Sequence, residues 1–409
     1  MNNFALFILA TMLLAYILDV ITGIANVRAL KPELPAEFVG VYDAEKYRKS
    51  QEYTKVRSNF GLIVSTFELA VMLVFWFAHG FEFVDTTVRA WGLNSILTGL
   101  AFLGILMTAN AILSMPFGIY STFVIEEKFG FNKTTIATFF LDKIKGLGIG
   151  ILLGVPVVAG VLWFFEATGE MAWLYCWSAV TLFTLAVQFI APTWIMPLFN
   201  KFTPLEDGQL RRSLLDYAQK VDFPLQGIFV IDGSKRSARS NAYFTGFGKN
   251  KRIALYDTLI NNHSVEELTA VLAHEVGHFK RKHILQSMIL GIIQTGVMFY
   301  LLSMFLNNKE LCSAFYVSNT SIYASLVFFM LLYSPFSTLI GIAMNVFSRK
   351  NEYEADEYAA KTTGKPETMI ATLKKLSADN LANLTPHPMY VFLNYSHPTA
   401  LQRIQHLRQ

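Results

Sequence analysis

Long apolar runs alternate with polar segments along the chain. Runs at residues 4–24, 60–81, 93–117, 144–165, 173–199, 284–306 and 322–347 each approach or exceed the ~20 residues that cross a bilayer as a helix, and they predict seven spans. The first run follows a start with no basic residue and no small-residue cleavage signal, so it reads as a retained span. Lysine and arginine test the count, because they accumulate on alternate loops when spans are placed correctly. Arg28, Lys31, Lys46, Arg48, Lys49, Lys55 and Arg57 lie between the first two runs, Lys128, Lys133, Lys143 and Lys145 after the third, and further basic residues at 201–282 and 349–408. The intervening loops hold Arg89 and Lys309 alone. The C-terminus and both large polar segments are therefore expected on the cytoplasmic side.

The polar segment 200–283 is long enough for structure of its own. Helical periodicity covers 210–221, alternation predicts strands at 228–231, 242–247 and 252–256, and Gly248, Lys249 and Asn250 suit a tight turn between the last two. Ser264 with Glu267 three residues on is a capping-box start for a helix running through residue 278.

Composition agrees with the spans: 53% hydrophobic, 16% charged and a mean hydropathy of +0.39 are not a soluble balance. Cys176 and Cys312 both fall in or beside apolar stretches, giving neither a disulfide framework nor a thiolate metal motif. No phosphate-cradling glycine loop and no nucleic-acid motif occurs. Asp19, Glu68 and His79 are ionisable residues in or near spans, and an interfacial position explains each as well as function does.

The chemistry centres on His274-Glu275-Val276-Gly277-His278. Two histidines four apart on a helix share a face and can hold one metal ion, with the intervening glutamate placed to work on a water. An open zinc site normally wants a third protein ligand. The motif ends six residues before the sixth run, about 9 Å if one helix continues, which places the metal at the membrane edge. Two spans return the chain to that side, where residues 348–357 open with a carboxylate-rich helix start. Glu352 and Asp356 share one face there, while Glu354 points elsewhere and Glu357 sits at the margin. Glu352 is the economical third ligand, with Asp356 accepting the outer N–H of a ligating histidine.

These motifs and others make the chain resemble the type I CAAX prenyl endopeptidases, seven-span zinc proteases of the gluzincin kind. The resemblance rests on Lys49-Ser50 and Tyr53, residues 120–128, 202–205, 233–237, 240–244 and 250–253, His274 to His278, Ser348-Arg349, Glu352 to Asp356 and Ser396-His397-Pro398. It implies an all-α polytopic membrane protein with seven transmembrane helices plus a small α+β zinc-metalloprotease segment. It also implies one Zn2+ per chain on His274, His278 and Glu352, with Glu275 as base for attack by zinc-activated water. Asn241 and His397 would line the cleft: His397 would meet the oxyanion, and the 241–244 strand would be an edge onto which an extended peptide adds. His387, also before a proline, stays structural. Arg349 and Arg403 could pair either with a substrate carboxylate or with Asp356 and its neighbours. The spans are expected to enclose a hydrated chamber.

The expected units are 1–199 for spans one to five with their cytoplasmic loops, and 200–283 for the catalytic segment with the motif helix. Residues 284–347 would supply spans six and seven, and 348–409 a C-terminal segment completing the site. The leading reading is an endopeptidase cutting near the C-terminus of isoprenylated CAAX-type proteins. It would sit in the endoplasmic reticulum membrane or a bacterial inner membrane according to source, with the site on the cytoplasmic side. Its partners would be the lipid bilayer and a peptide or protein substrate, prenylated at its C-terminus in that role, and no nucleic acid. A broader quality-control protease with no prenyl requirement is the alternative. A seven-span transporter or receptor with structural zinc is the remote one, and Glu275 argues against it because a structural site has no use for a base.

Overall fold

The computed structural model describes residues 1–245 and 251–409. The turn expected at 248–250 and the strand positions 246 and 247 lie outside the described residues. Among those described, seven helices carry apolar stretches long enough to cross a membrane: Asn3–Arg28, Ala44–Phe77, Ser95–Glu126, Ile136–Ala167, Gly169–Leu198, His283–Phe305 and Ile322–Thr363. Each contains or overlaps an expected run. Only 6–22% of each apolar window is buried, so most of each window faces outward from the protein interior.

Two helices run well past their apolar parts. The second starts at Ala44, where the Asp43 carboxylate accepts from the Glu45 and Lys46 backbone N–H groups at 2.9 and 3.0 Å. The seventh continues as one helix of 42 residues to Thr363 and ends at Gly364 in the left-handed region, φ 68°. Residues 348–357 are thus deep in a helix and not at a helix start. Hydropathy marks only the part in lipid, and nothing after residue 347 breaks the helix, since no glycine or proline intervenes before Gly364.

The catalytic segment builds the expected helix Gln209–Lys220 and a four-stranded sheet of β1 (Phe202–Pro204), β2 (Leu225–Ile231), β3 (Ala242–Thr245) and β4 (Lys251–Tyr256). The strand order is β1-β2-β4-β3, with β2 and β4 parallel and the other pairs antiparallel. β3 is an edge strand, as expected. The motif helix, Val265–Lys280, opens on the capping box of Ser264 and Glu267. It does not run straight into the sixth span: Lys282 takes φ 61° and the helix restarts at His283.

Two of the four buried clusters among the described residues bear on the site and on the opposite end of the molecule. Leu214, Ile253, Leu255, Leu272, Val276 and Ala359 join the sheet, the motif helix and the seventh helix. A separate aromatic cluster closes the other membrane face, with Trp76 stacked on Phe315 at 4.7 Å and Phe315 on Phe328 at 4.2 Å. His79 belongs to that end, left-handed at φ 60° and stacked on Tyr316, and has no part in the metal site.

Candidate metal centre

The motif helix and the seventh helix cross at a glycine. A Cβ on Gly277 would lie 3.0 Å from both the Cα and the carbonyl oxygen of Ala355, so only glycine allows this approach without displacement. The approach brings His274 and His278 against Glu352. His274 Nε2 is 3.1 Å from His278 Nε2 and 3.5 Å from Glu352 Oε2, and His278 Nε2 is 3.3 Å from Glu352 Oε1. A tetrahedral ion with bonds of about 2.0–2.1 Å has ligand-to-ligand edges of about 3.3–3.4 Å. The two imidazole nitrogens meet different oxygens of the Glu352 carboxylate at these distances, and the three groups converge closely enough to hold one ion.

The charges behind these groups suit a cation. Burial by itself would depress the His274 imidazole, but its contacts with Asp356 and Glu352 outweigh burial and push it up to about 9. Glu352 Oε2 is enclosed and receives no hydrogen bond, although Arg403 Nη1 lies 3.2 Å away. An orphaned carboxylate oxygen beside two converging imidazole nitrogens is a donor set that fits zinc.

Asp356 holds the position expected for it, with Oδ1 accepting from His274 Nδ1 at 2.9 Å and its side chain fully buried. Arg403 takes the pairing with Asp356 from the two left open by the sequence. Its Nε donates to Oδ2 at 2.7 Å and its Nη2 to Oδ1 at 2.6 Å. These carboxylates raise the Arg403 guanidinium against the opposing effect of its own burial. Arg349 instead donates from Nη1 to the carbonyls of Val391 and Tyr395 at 3.2 and 2.5 Å. Glu357 pairs outward with His406 at 2.7 Å.

Glu275 is half-buried beside His274. Its carboxylate makes no hydrogen bond or ion pair among the described residues. His397 is exposed at the rim, with Nε2 3.4 Å from Glu352 Oε1 and Nδ1 2.9 Å from Ser396 Oγ. Asn241 is not brought into contact with the three donors. It heads β3, accepting at its carbonyl from Tyr256 N at 3.1 Å, with Oδ1 accepting from Ala242 N at 2.9 Å. A run of aromatic contacts ties that strand to the motif helix: Phe244 packs on Phe223 at 5.0 Å and Phe223 on Phe279 at 5.2 Å. His387 caps a short helix by accepting from Met389 N, the local role expected for it.

Tyr53, Glu126 and Arg236, from stretches that carried the resemblance, serve as anchors. Glu126 accepts from Tyr53 Oη at 2.6 Å and from Arg239 Nη2 at 2.9 Å, and Arg236 grips Asp142 with bonds of 2.7 and 2.9 Å. These contacts bind the second, third and fourth membrane helices to the segment that leads into the strand beginning at Ala242. Cys176 and Cys312 are both free and buried.

Comparison with known proteins gives matches along almost the whole chain. The CAAX prenyl protease N-terminal region, described as five membrane helices, matches residues 23–201, and peptidase family M48 matches residues 204–409. A CAAX prenyl protease 1 homolog of Oryza sativa is 38% identical over 409 residues, covering 98% of this chain and 96% of the relative. The Saccharomyces cerevisiae CAAX prenyl protease 1 is 36% identical, with 91% and 88% covered. The crystal structure of S. mikatae Ste24p superposes with a TM-score of 0.94 at 33% identity, covering all of both chains.

Proposed function

The chain belongs to the CAAX prenyl proteases of peptidase family M48 and is a multi-pass membrane metalloendopeptidase. From that premise we propose that it cuts near the C-terminus of isoprenylated CAAX-type proteins, with one zinc ion held by His274, His278 and Glu352. The observation that carries this reading is the convergence of those three donors, from two helices, beside an unpaired Glu275. Membership of a peptidase family sets aside the transporter or receptor alternative.

A zinc ion held there supplies Lewis-acid polarisation of the scissile carbonyl and of water. Glu275 takes the proton of the attacking water and returns it to the departing amine nitrogen. With the Ser396 hydroxyl as donor to His397 Nδ1, 2.9 Å away, the imidazole proton would sit on Nε2, the nitrogen facing the site, where it could meet the developing oxyanion. Among the described residues one side of β3 has no strand partner and Asn241 Nδ2 no hydrogen bond, so both could engage an extended substrate.

The approach to the site is polar. Ser334, Thr338, Asn345, Arg349, Glu352 and Asp356 follow one face of the seventh helix. Ser334 and Thr338 donate to carbonyls of their own helix, and Asn345 and Arg349 to carbonyls of residues 391–395, so these groups are met within the protein. The basic loops support placing the catalytic segment on the cytoplasmic side, at the endoplasmic reticulum in a eukaryotic source or the inner membrane in a bacterial one.

The test offers detergent-purified protein a prenylated C-terminal peptide and an unprenylated twin, with mass spectrometry locating the cut. Cleavage of the prenylated peptide alone supports maturation. Equal cleavage of both would replace it with the broader clearance role. Glu275→Gln should keep zinc and fold while lowering turnover by roughly 10²–10⁴-fold, and a variant of undiminished activity would remove the proposed mechanism.

A further inference from the structure

We propose that His283 and Glu354 form a relay that positions the metal ligand His278 from behind, so that both membrane helices of the last hairpin grip the centre. The proposal rests on His278 being a ligand, as argued above. His278 Nδ1 lies 3.0 Å from His283 Nδ1, and His283 Nε2 lies 3.2 Å from Glu354 Oε2. His283 is 3% exposed and opens the sixth span immediately after the left-handed Lys282, φ 61°. That turn, unfavourable for a residue with a side chain, lets the His283 ring meet His278.

One proton arrangement satisfies every contact. An imidazole that binds a metal through Nε2 is neutral and carries its proton on Nδ1. His278 Nδ1–H must then donate, so His283 Nδ1 accepts, and the His283 proton sits on Nε2, where it donates to Glu354. His274 is held in the same way by Asp356, directly and at 2.9 Å. The seventh helix thus supplies a ligand, Glu352, and a carboxylate behind each histidine. Hydrogen-bonded outer partners of this kind fix ring orientation and raise ligand basicity, and losing one typically costs ~10–100-fold in metal affinity.

Three variants of the full-length protein, loaded with zinc, test the relay through the rate of zinc release to a chelator. His283→Leu removes both bonds and should release zinc about 10–100-fold faster. His283→Asn keeps an acceptor toward His278 and should fall between Leu and native. Glu354→Gln preserves volume and an acceptor but no charge, and should accelerate release less than His283→Leu. Cobalt-substituted His283→Leu should show shifted visible bands, a signature that a purely structural contact would not give. Glu354→Gln keeps the proposal testable if His283→Leu does not fold. Native release rates, within twofold, in Glu354→Gln and in whichever His283 variants fold would overturn the relay. A native protein that binds no stoichiometric zinc would overturn the metal centre itself, a distinct failure.

Discussion

Adding one methyl group at Gly277 should loosen the metal more than the fold. The alanine Cβ would meet Ala355 Cα and O at 3.0 Å and Tyr358 Cβ at 3.2 Å, whereas relaxed carbon contacts sit at about 3.5–4.0 Å. The two helices must therefore part by about 0.5 Å at the crossing. Alanine favours the helix by about 0.8–1.0 kcal/mol, and overpacking costs about 1–3 kcal/mol, so the net change in stability is at most about 2 kcal/mol. The donors fare worse, because His274 and His278 ride on one helix and Glu352 on the other. Metal–ligand distances are held to about ±0.2 Å, and a shift of twice that should weaken zinc by about 10–100-fold, or roughly 1.4–2.8 kcal/mol. Chelator competition with metal analysis reads the affinity, and thermal unfolding of the metal-free protein reads the fold. Gly277→Ala with zinc affinity within twofold of native would show that the crossing does not set the donor geometry.

Arg403→Met should destabilise the metal-free protein by about 3–5 kcal/mol, since it strands the buried Asp356 and Glu352 carboxylates; a loss below about 1 kcal/mol in chemical unfolding would refute their dependence on this cation. His263, depressed below its usual 6.5 chiefly by burial, binds its proton more readily when unfolded, so its contribution is full above pH 6.5 and is lost as pH falls below that value. Glu267 is held below 4.5 by the Ser264 N–H and Lys375 in spite of burial, so the capping box adds a further loss at lower pH. His263→Phe should flatten the decline in unfolding midpoint between about pH 7.5 and 5.5, and an unchanged slope would count against the assignment.

The anchors join stretches that stand far apart in the chain. Tyr53, Glu126 and Arg239 are separated widely in sequence yet share one hydrogen-bonded cluster. Each residue by itself is an ordinary polar side chain, and no spacing rule joins them.

What the sequence determined by itself was local and periodic. Seven spans follow from run length, the motif helix from its capping box, and the pairing of Glu352 with Asp356 from a four-residue spacing that any helix would impose. The convergence of His274, His278 and Glu352 was legible because two such helical spacings supply the three side chains. Tertiary structure decided the rest. Arg403 reaches Asp356 from 47 residues away, and nothing in its own neighbourhood chose that partner over a substrate. His283 meets His278 only because Lys282 turns left-handed, a departure that hydropathy and periodicity do not encode. The seventh helix persists past the membrane because its polar end packs on the catalytic core, and the parallel pairing of β2 with β4 arises from packing across the intervening chain. Run length and spacing follow from the geometry of one helix or strand, whereas these contacts exist only once separate elements share a core.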